Sequence, residues 1–316
     1  MQDAQGYDVI GDIHGHAVEL WNLLSALGYQ KKQGVYQHSS RKALFLGDLI
    51  DRGPEQLAVL ETVRAMIEKD HAFSVMGNHE FNAIGWQTAD GDGYALRPHS
   101  EKNYRQHQAF LDAVGESTAC HLEWVEWFKS LPLWWELPTL QIVHASWNPY
   151  HMKAIAPYLS EMNRLNPAWI RSFFMSGHMA FDAAETLLKG PELHLGEGRF
   201  FFDKGSIRRE RARLRWWMEK GSLRDALIIP EETASELPEL CVRCHLDSFP
   251  KVQKPTFVGH YWLTGDPKPL NDNIACLDYS VAKGGQLVAY RFDGENKLTT
   301  DKFVMVPARG SFDERS

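Results

Sequence analysis

Short apolar runs and helix-spaced apolar positions alternate along the first half of the chain. Tyr7–Ile10, Ala43–Leu46, Phe73–Met76 and Leu140–Val143 have strand length and are mostly apolar. After the first run, Val18, Trp21, Leu24 and Leu27 recur at helical spacing and stop at Gly28; after the second, Leu57, Leu60, Val63 and Ile67 do the same. A longer helical region is predicted over roughly 100–130. Strand–helix–strand order of this kind predicts a largely parallel sheet with helices packed against it. From about 150 to 250 the pattern is broken by Pro157, Pro167, Pro191, Pro230, Pro238 and Pro250, and no strand alternation survives. This stretch is predicted to be an inserted, mainly helical cap. Strand signals return at Thr256–Val258, Ile274–Leu277, Gln286–Phe292 and Phe303–Val306, and the turns "AKGGQ" and "DGENK" predict a hairpin-connected sheet for the last three. The expected organisation is one α/β domain over 1–307 carrying the cap, then a frayed tail over 308–316.

Composition narrows the function classes. With 316 residues the chain can bury a large core, and 44% apolar with 24% charged residues is ordinary for a soluble globular protein. A formal net charge of −7 argues against a general nucleic-acid or anionic-membrane binder, because no overall positive field draws in phosphate backbones. The start "MQDAQGYDVIGD" has neither a basic segment nor an apolar core for export, and no apolar stretch reaches 18 residues. Four cysteines without an export signal fit a reducing compartment, so a cytoplasmic location is expected.

The strand candidates end alike. The first runs into "GDIHG" (Asp12, His14), the second into "GDLIDRG" (Asp48, Asp51, Arg52) and the third into "GNHE" (Asn78, His79, Glu80). A fourth ends at "VHA" (His144) and a late one at "VGH" (His260). Ligands of open α/β sheets bind at the carboxyl ends of the strands, so these groups are placed to converge. Aspartate, histidine and an asparagine carbonyl suit divalent metals that accept mixed oxygen and nitrogen donors, such as Mn, Fe or Zn. The set is too large for one ion and sufficient for two with a shared carboxylate, an arrangement that clamps a phosphoryl displacement and acidifies a bound water. Arg52 adds a planar fork matched to a phosphoryl group. Any one of these turns alone is unremarkable; the ordered set of five carries the reading.

Taken in order, Asp12-x-His14, "GDLIDRG", "GNHE", "VHA" and "VGH" resemble the calcineurin-like metallophosphoesterases, and most of all their phosphoprotein-phosphatase branch with its bacterial and phage members. The resemblance implies an α/β four-layer sandwich, two mixed β-sheets flanked by helices. It implies a first ion on Asp12, His14 and Asp48, and a second on Asp48, Asn78, His144 and His260. Manganese is the expected metal, with iron or zinc as alternatives, and a metal-bridging hydroxide is the expected nucleophile. His79 would be the general acid, oriented and kept charged by Asp51, while Arg52, Asn78 and His79 would bind phosphate oxygens. Nuclease-like relatives end in Gly-His-x-His; here "GHYW" puts Trp262 at the last position, which together with the negative charge disfavours a nuclease. Symmetrical dinucleoside tetraphosphatases resemble the chain in "VHA" and in "CLDYSVAKGGQLVAYRF", but many lack an aspartate at the position of Asp51. Phosphate monoesters, phosphoserine or phosphothreonine proteins among them, are therefore the first expected substrates, with dinucleoside polyphosphates or other nucleotides as the alternative. A catalytically silent scaffold would have lost a ligand or His79, and none is missing. No stable nucleic-acid or membrane partner is expected. A second phosphate-binding arginine, common in the family, has Arg164 and Arg171 as candidates.

Two further signals are weaker. "KGSIRRERARLRWW" gathers Arg208, Arg209, Arg211, Arg213 and Arg215 beside Trp216 and Trp217. It reads either as a nucleotide-gathering surface or, preferably, as a helix with a solvated basic face and a buried tryptophan pair. "CVRCH" spells half a zinc site at Cys241 and Cys244, but no second such pair exists to complete it, and Cys120 and Cys276 carry no recognisable chemistry.

Overall fold

The computed structural model describes residues 4–202, 207–218, 220–235 and 251–310. The paired cysteines Cys241 and Cys244 lie outside the described residues. Strand β1 (Gly6–Ile10), helix α1 (Ala17–Ala26), β2 (Arg41–Phe45), α2 (Gln56–Glu68) and β3 (Ala72–Ser74) follow the predicted alternation. The helical region near 100–130 is two helices, α4 (Glu101–Val114) and α5 (Ala119–Lys129), preceded by α3 (Asn78–Gln87). Gly115, at φ 73°, ends α4, and Thr118 caps α5 by accepting the His121 N–H. Then come β4 (Trp134–Glu136), β5 (Gln141–Val143), α6 (Pro149–Ile155), α7 (Met179–Lys189), β6 (Thr256–Val258), β7 (Ile274–Cys276), β8 (Asp278–Tyr279), β9 (Gln286–Phe292) and β10 (Phe303–Pro307).

Ten of these strands make two sheets. One has the order β8-β9-β1-β2-β3, with β10 paired to β9; β1, β2 and β3 are parallel, and β9 runs antiparallel to β1. The other has the order β7-β6-β5-β4, with β5, β6 and β7 parallel. The pleat explains the layering, because successive side chains leave opposite faces of a strand. Val9, Leu44, Ile142, Phe257 and Ala275 pack together between the sheets. Their neighbours Ile10, Ala43, Phe45, Val143, Val258 and Cys276 point outward to the apolar faces of the helices. Strands buried on both faces read as continuous apolar runs, which is why they were legible.

Three expectations change. Ile274–Leu277 does not join the hairpin sheet. Ile274–Cys276 extends the second sheet beside β6, and after Leu277 the chain crosses to the first sheet, where Asp278–Tyr279 pairs with β9. Turn composition sets the length of a connection, not which sheet the preceding strand enters. The cap carries strands as well as helices, its later helices being the short Leu223–Ala226 and Glu231–Ser235. Beyond α7, Glu192–His194, Arg211–Leu214 and Leu227–Ile228 form a small antiparallel sheet, and Phe201–Phe202 pairs with Arg208–Arg209. The basic run is therefore strand rather than helix; in "RARL" Arg211 and Arg213 alternate with buried Ala212 and Leu214. Finally, the segment expected to fray begins docked: Ala308 is buried, and Arg309 bonds to Glu19 and Glu55. Among the described residues no helix is long and apolar enough to cross a membrane.

Candidate metal centre

Five strand ends meet at one edge of the sandwich. β1, β2 and β3 deliver Asp12 and His14, then Asp48, Asp51 and Arg52, then Asn78 and His79; β5 and β6 deliver His144 and His260 from the other sheet. Contacts between residues far apart in sequence fix the convergence. Asp12 Oδ2 accepts the His260 N–H at 3.0 Å. Asn78 Oδ1 lies 3.1 Å from His144 Nε2 and 2.6 Å from His260 Nδ1. All six predicted ligand residues are buried.

Asp48 is at the middle. Its Oδ2 faces His14 Nε2 at 3.7 Å, His79 Nε2 at 3.8 Å and His144 Nε2 at 3.4 Å. These separations exceed a normal hydrogen bond, and those of His14 and His144 match donors that each sit about 2.0–2.2 Å from a cation shared with Asp48. Two groups of donor atoms lie within 4.8 Å of one another, His14–Asp48–His79 and Asp48–His144–His260, and Asp48 belongs to both. The imidazoles are preset for coordination. His14 Nδ1 donates to the Ile50 carbonyl at 2.9 Å and His144 Nδ1 to the Leu46 carbonyl at 2.7 Å, which turns each Nε2 inward toward Asp48. Against its burial, the Asp48 and Asp12 carboxylates raise His144 to about 10, a charge that a bound cation would displace. Asp12 Oδ1, His14 Nε2 and His260 Nε2 are buried without a hydrogen-bond partner. An unmet buried polar atom costs about 1–3 kcal/mol, and a divalent cation would satisfy these three together. Burial, reinforced by nearby positive charge, drives His14 down to about 3 and His260 well below the usual histidine range, favouring the neutral ring a metal requires. The donor set thus fits a pair of divalent cations.

Beside it stands a proton-bearing pair. His79 Nδ1 meets Asp51 Oδ2 at 2.5 Å, and Asp51 Oδ1 meets His107 Nδ1 at 2.9 Å. Burial opposes charge on both partners, yet His107 and His79 hold the Asp51 carboxyl well below the usual carboxylate range. For His79 too burial acts downward, but the carboxylates of Asp48 and Asp51 raise it above an ordinary histidine. A protonated His79 has no lone pair for a metal, which separates it from the neighbours with which it is grouped.

The backbone is strained where it carries this chemistry. Among the described residues twelve non-glycine positions have positive φ, and six of them are His14, Asp48, Asp51, Arg52, His260 and Trp262. Each costs on the order of 1–3 kcal/mol and persists only where the surroundings enforce it. Glu80 is one enforcer: its carboxylate accepts the N–H groups of Asp48, Leu49, Ile50 and Gly77. Sequence reasoning quoted Glu80 and gave it no role, although its place three residues after the helix cap is the spacing at which a carboxylate reaches back to the cap N–H. His107 had no local signal, lying 56 residues from its partner. Of the two candidate phosphate arginines, Arg171 packs against Gly91 and Arg164 lies in a short strand paired with Ser160. His260, lowered first by burial, also feels the positive charge of Arg213 together with that of His144 and His79. Trp216 and Trp217 are buried, and Trp216 Nε1 donates to the Ala145 carbonyl, so the pair packs inward.

Gly259 permits the closest approach. A Cβ there would stand 1.9 Å from Asp12 Oδ1. Gly259→Ala is expected to push the Asp12 carboxylate off its position, lowering metal affinity by about 10–100-fold while the protein stays folded. Metal titration followed by calorimetry, with circular dichroism as the folding control, checks this.

The sequence pattern of calcineurin-like phosphoesterases matches residues 7–220. The chain belongs to the calcineurin-like phosphoesterase family. Members of that family use a dinuclear divalent metal site, and this calcineurin-like phosphoesterase places candidate aspartate and histidine ligands together as described. It is 47% identical over 73 residues to the asymmetrical bis(5'-nucleosyl)-tetraphosphatase PrpE of Oceanobacillus iheyensis, and 47% identical over 74 residues to that of Halalkalibacterium halodurans. Each match covers 23% of this chain and 29% or 30% of the relative, so under a third of either relative is matched. The cold-active protein-tyrosine phosphatase of a psychrophilic Shewanella superposes over 98% of this chain and 83% of its own, with a TM-score of 0.50 and 17% identity, a likeness of fold alone.

Proposed function

We propose that this protein is a metal-dependent phosphohydrolase acting on dinucleoside polyphosphates or related nucleotides. The observation that carries the phosphohydrolase reading is the ring of buried donors around Asp48, with His79 and Arg52 beside it. The relatives named as tetraphosphatases support the choice of substrate. They reverse the order expected from the sequence, which put monoesters first because of Asp51.

In this reading Asp12, His14, Asp48, Asn78, His144 and His260 hold two divalent cations, manganese foremost. Bound there, the cations supply charge stabilisation on the phosphoryl oxygens and a water acidic enough to lose its proton near neutral pH. Arg52 and Asn78 orient the phosphoryl group. His79 gives its Nε2 proton to the departing oxygen, and Asp51, itself held by His107, keeps that imidazole charged and aimed. The shared chemistry of ester and anhydride cleavage leaves substrate choice to the groups around the cations.

A panel with added Mn²⁺, comparing diadenosine tetraphosphate, a chromogenic aryl phosphate and phosphopeptides, tests the choice. The dinucleotide is expected to lead by at least about a hundredfold in kcat/KM, roughly 2.7 kcal/mol. The reverse order would return the monoester reading.

A further inference from the structure

Beside the metal centre two cations share one aromatic ring. The Arg52 guanidinium carbon lies 4.1 Å from the centroid of the Trp262 indole, and Lys283 Nζ lies 3.9 Å from the same centroid. The indole in turn sits 5.9 Å from the ring of His14. This assembly is built rather than incidental. Trp262 is in the left-handed region at φ 53°, and its N–H is held at 2.7 Å by Oδ2 of buried Asp278. The other oxygen of Asp278 accepts the Ser280 N–H, and Ser280 Oγ donates to the Leu263 carbonyl. Ser280 then opens the tight helical turn Val281–Lys283 that carries the lysine to the indole. One carboxylate thereby fixes both the ring and the turn bearing the second cation.

An aromatic face attracts a cation by about 0.5–2 kcal/mol, and here it holds two that repel each other. Such a pair is matched by an anion longer than one phosphoryl group. Arg52 also walls an open groove of about 380 Å³ with Arg105, Gln106, Gln108 and Asp112 of α4, so its guanidinium is open to a ligand.

We propose that Lys283, held with Arg52 on Trp262, binds the second phosphoryl group of a condensed phosphate chain and so makes this site select polyphosphates over monoesters. The proposal deepens the nucleotide reading and rests on it for the natural substrate, but the chain itself, free or within a nucleotide, is what Lys283 reads.

Calorimetric binding to the Mn²⁺-loaded protein, with inorganic tripolyphosphate and orthophosphate as probes, tests it. Lys283→Ala is expected to raise the Kd for tripolyphosphate at least about tenfold and that for orthophosphate less than about threefold. Lys283→Arg should restore tripolyphosphate binding. Trp262→Leu, which removes the shared ring, should weaken both probes. Equal changes for the two probes in Lys283→Ala, or no change, overturn the proposal, as does a wild-type protein that does not favour tripolyphosphate. Diadenosine tetraphosphate forms the separate arm: if it binds no better than orthophosphate while the tripolyphosphate selectivity still depends on Lys283, the nucleotide substrate falls and the role of Lys283 stands.

Discussion

Asp48→Asn is expected to reduce kcat/KM on the order of 10⁴-fold and to leave about one cation or none per chain. The reason lies in the geometry around one oxygen. Asp48 Oδ2 is the point faced by the Nε2 atoms of His14, His79 and His144, and both groups of donor atoms contain Asp48. An amide of the same shape keeps the volume but removes the negative charge that two adjacent dications need between them. It also brings an NH₂ that has no lone pair to give a metal. The Oδ1 side has a structural duty, accepting the His79 N–H at 2.9 Å, which asparagine retains if its carbonyl takes that place. The variant should therefore fold, with an unchanged circular-dichroism spectrum, while elemental analysis shows the metal gone. Full metal occupancy in the variant would remove Asp48 from the centre of the site.

His79→Asn separates proton transfer from metal binding. General acids contribute about 10²–10⁴-fold, so kcat on an alkyl phosphate should fall by that range with both cations retained. The loss should grow with the basicity of the leaving group: severe for an alkyl phosphate, mild for an aryl phosphate or an anhydride whose departing oxygen scarcely needs a proton. In the proposed mechanism the Asp51–His79 contact at 2.5 Å, with His107 on the far oxygen, would keep the ring charged and able to donate. Metal loss in this variant would instead make His79 a ligand, in line with its nearness to His14 and Asp48.

The candidate ligands were legible because each sits within a few residues of a strand end, and the run of apolar residues that marks the strand also marks its terminus. Asp12, Asp48, Asn78, His144 and His260 all follow this rule. His107 and the Trp262–Lys283 contact obey no short-range rule: their partners come from other elements, and only folding brings them near. The cap's strands escaped notice for a related reason. Its strands are two to four residues long, too short for alternation to stand out among prolines and arginines. The crossing of Ile274–Tyr279 between sheets was hidden because both sheets demand the same apolar residues from it.

The split origin of the ligands also has a mechanical side. Asp12, His14, Asp48 and Asn78 hang from one sheet, whereas His144 and His260 hang from the other. A cation held by these residues would be gripped from both sides and act as a rivet through the sandwich, resisting shear between the layers, so that chelation would loosen the whole scaffold rather than merely empty a cleft.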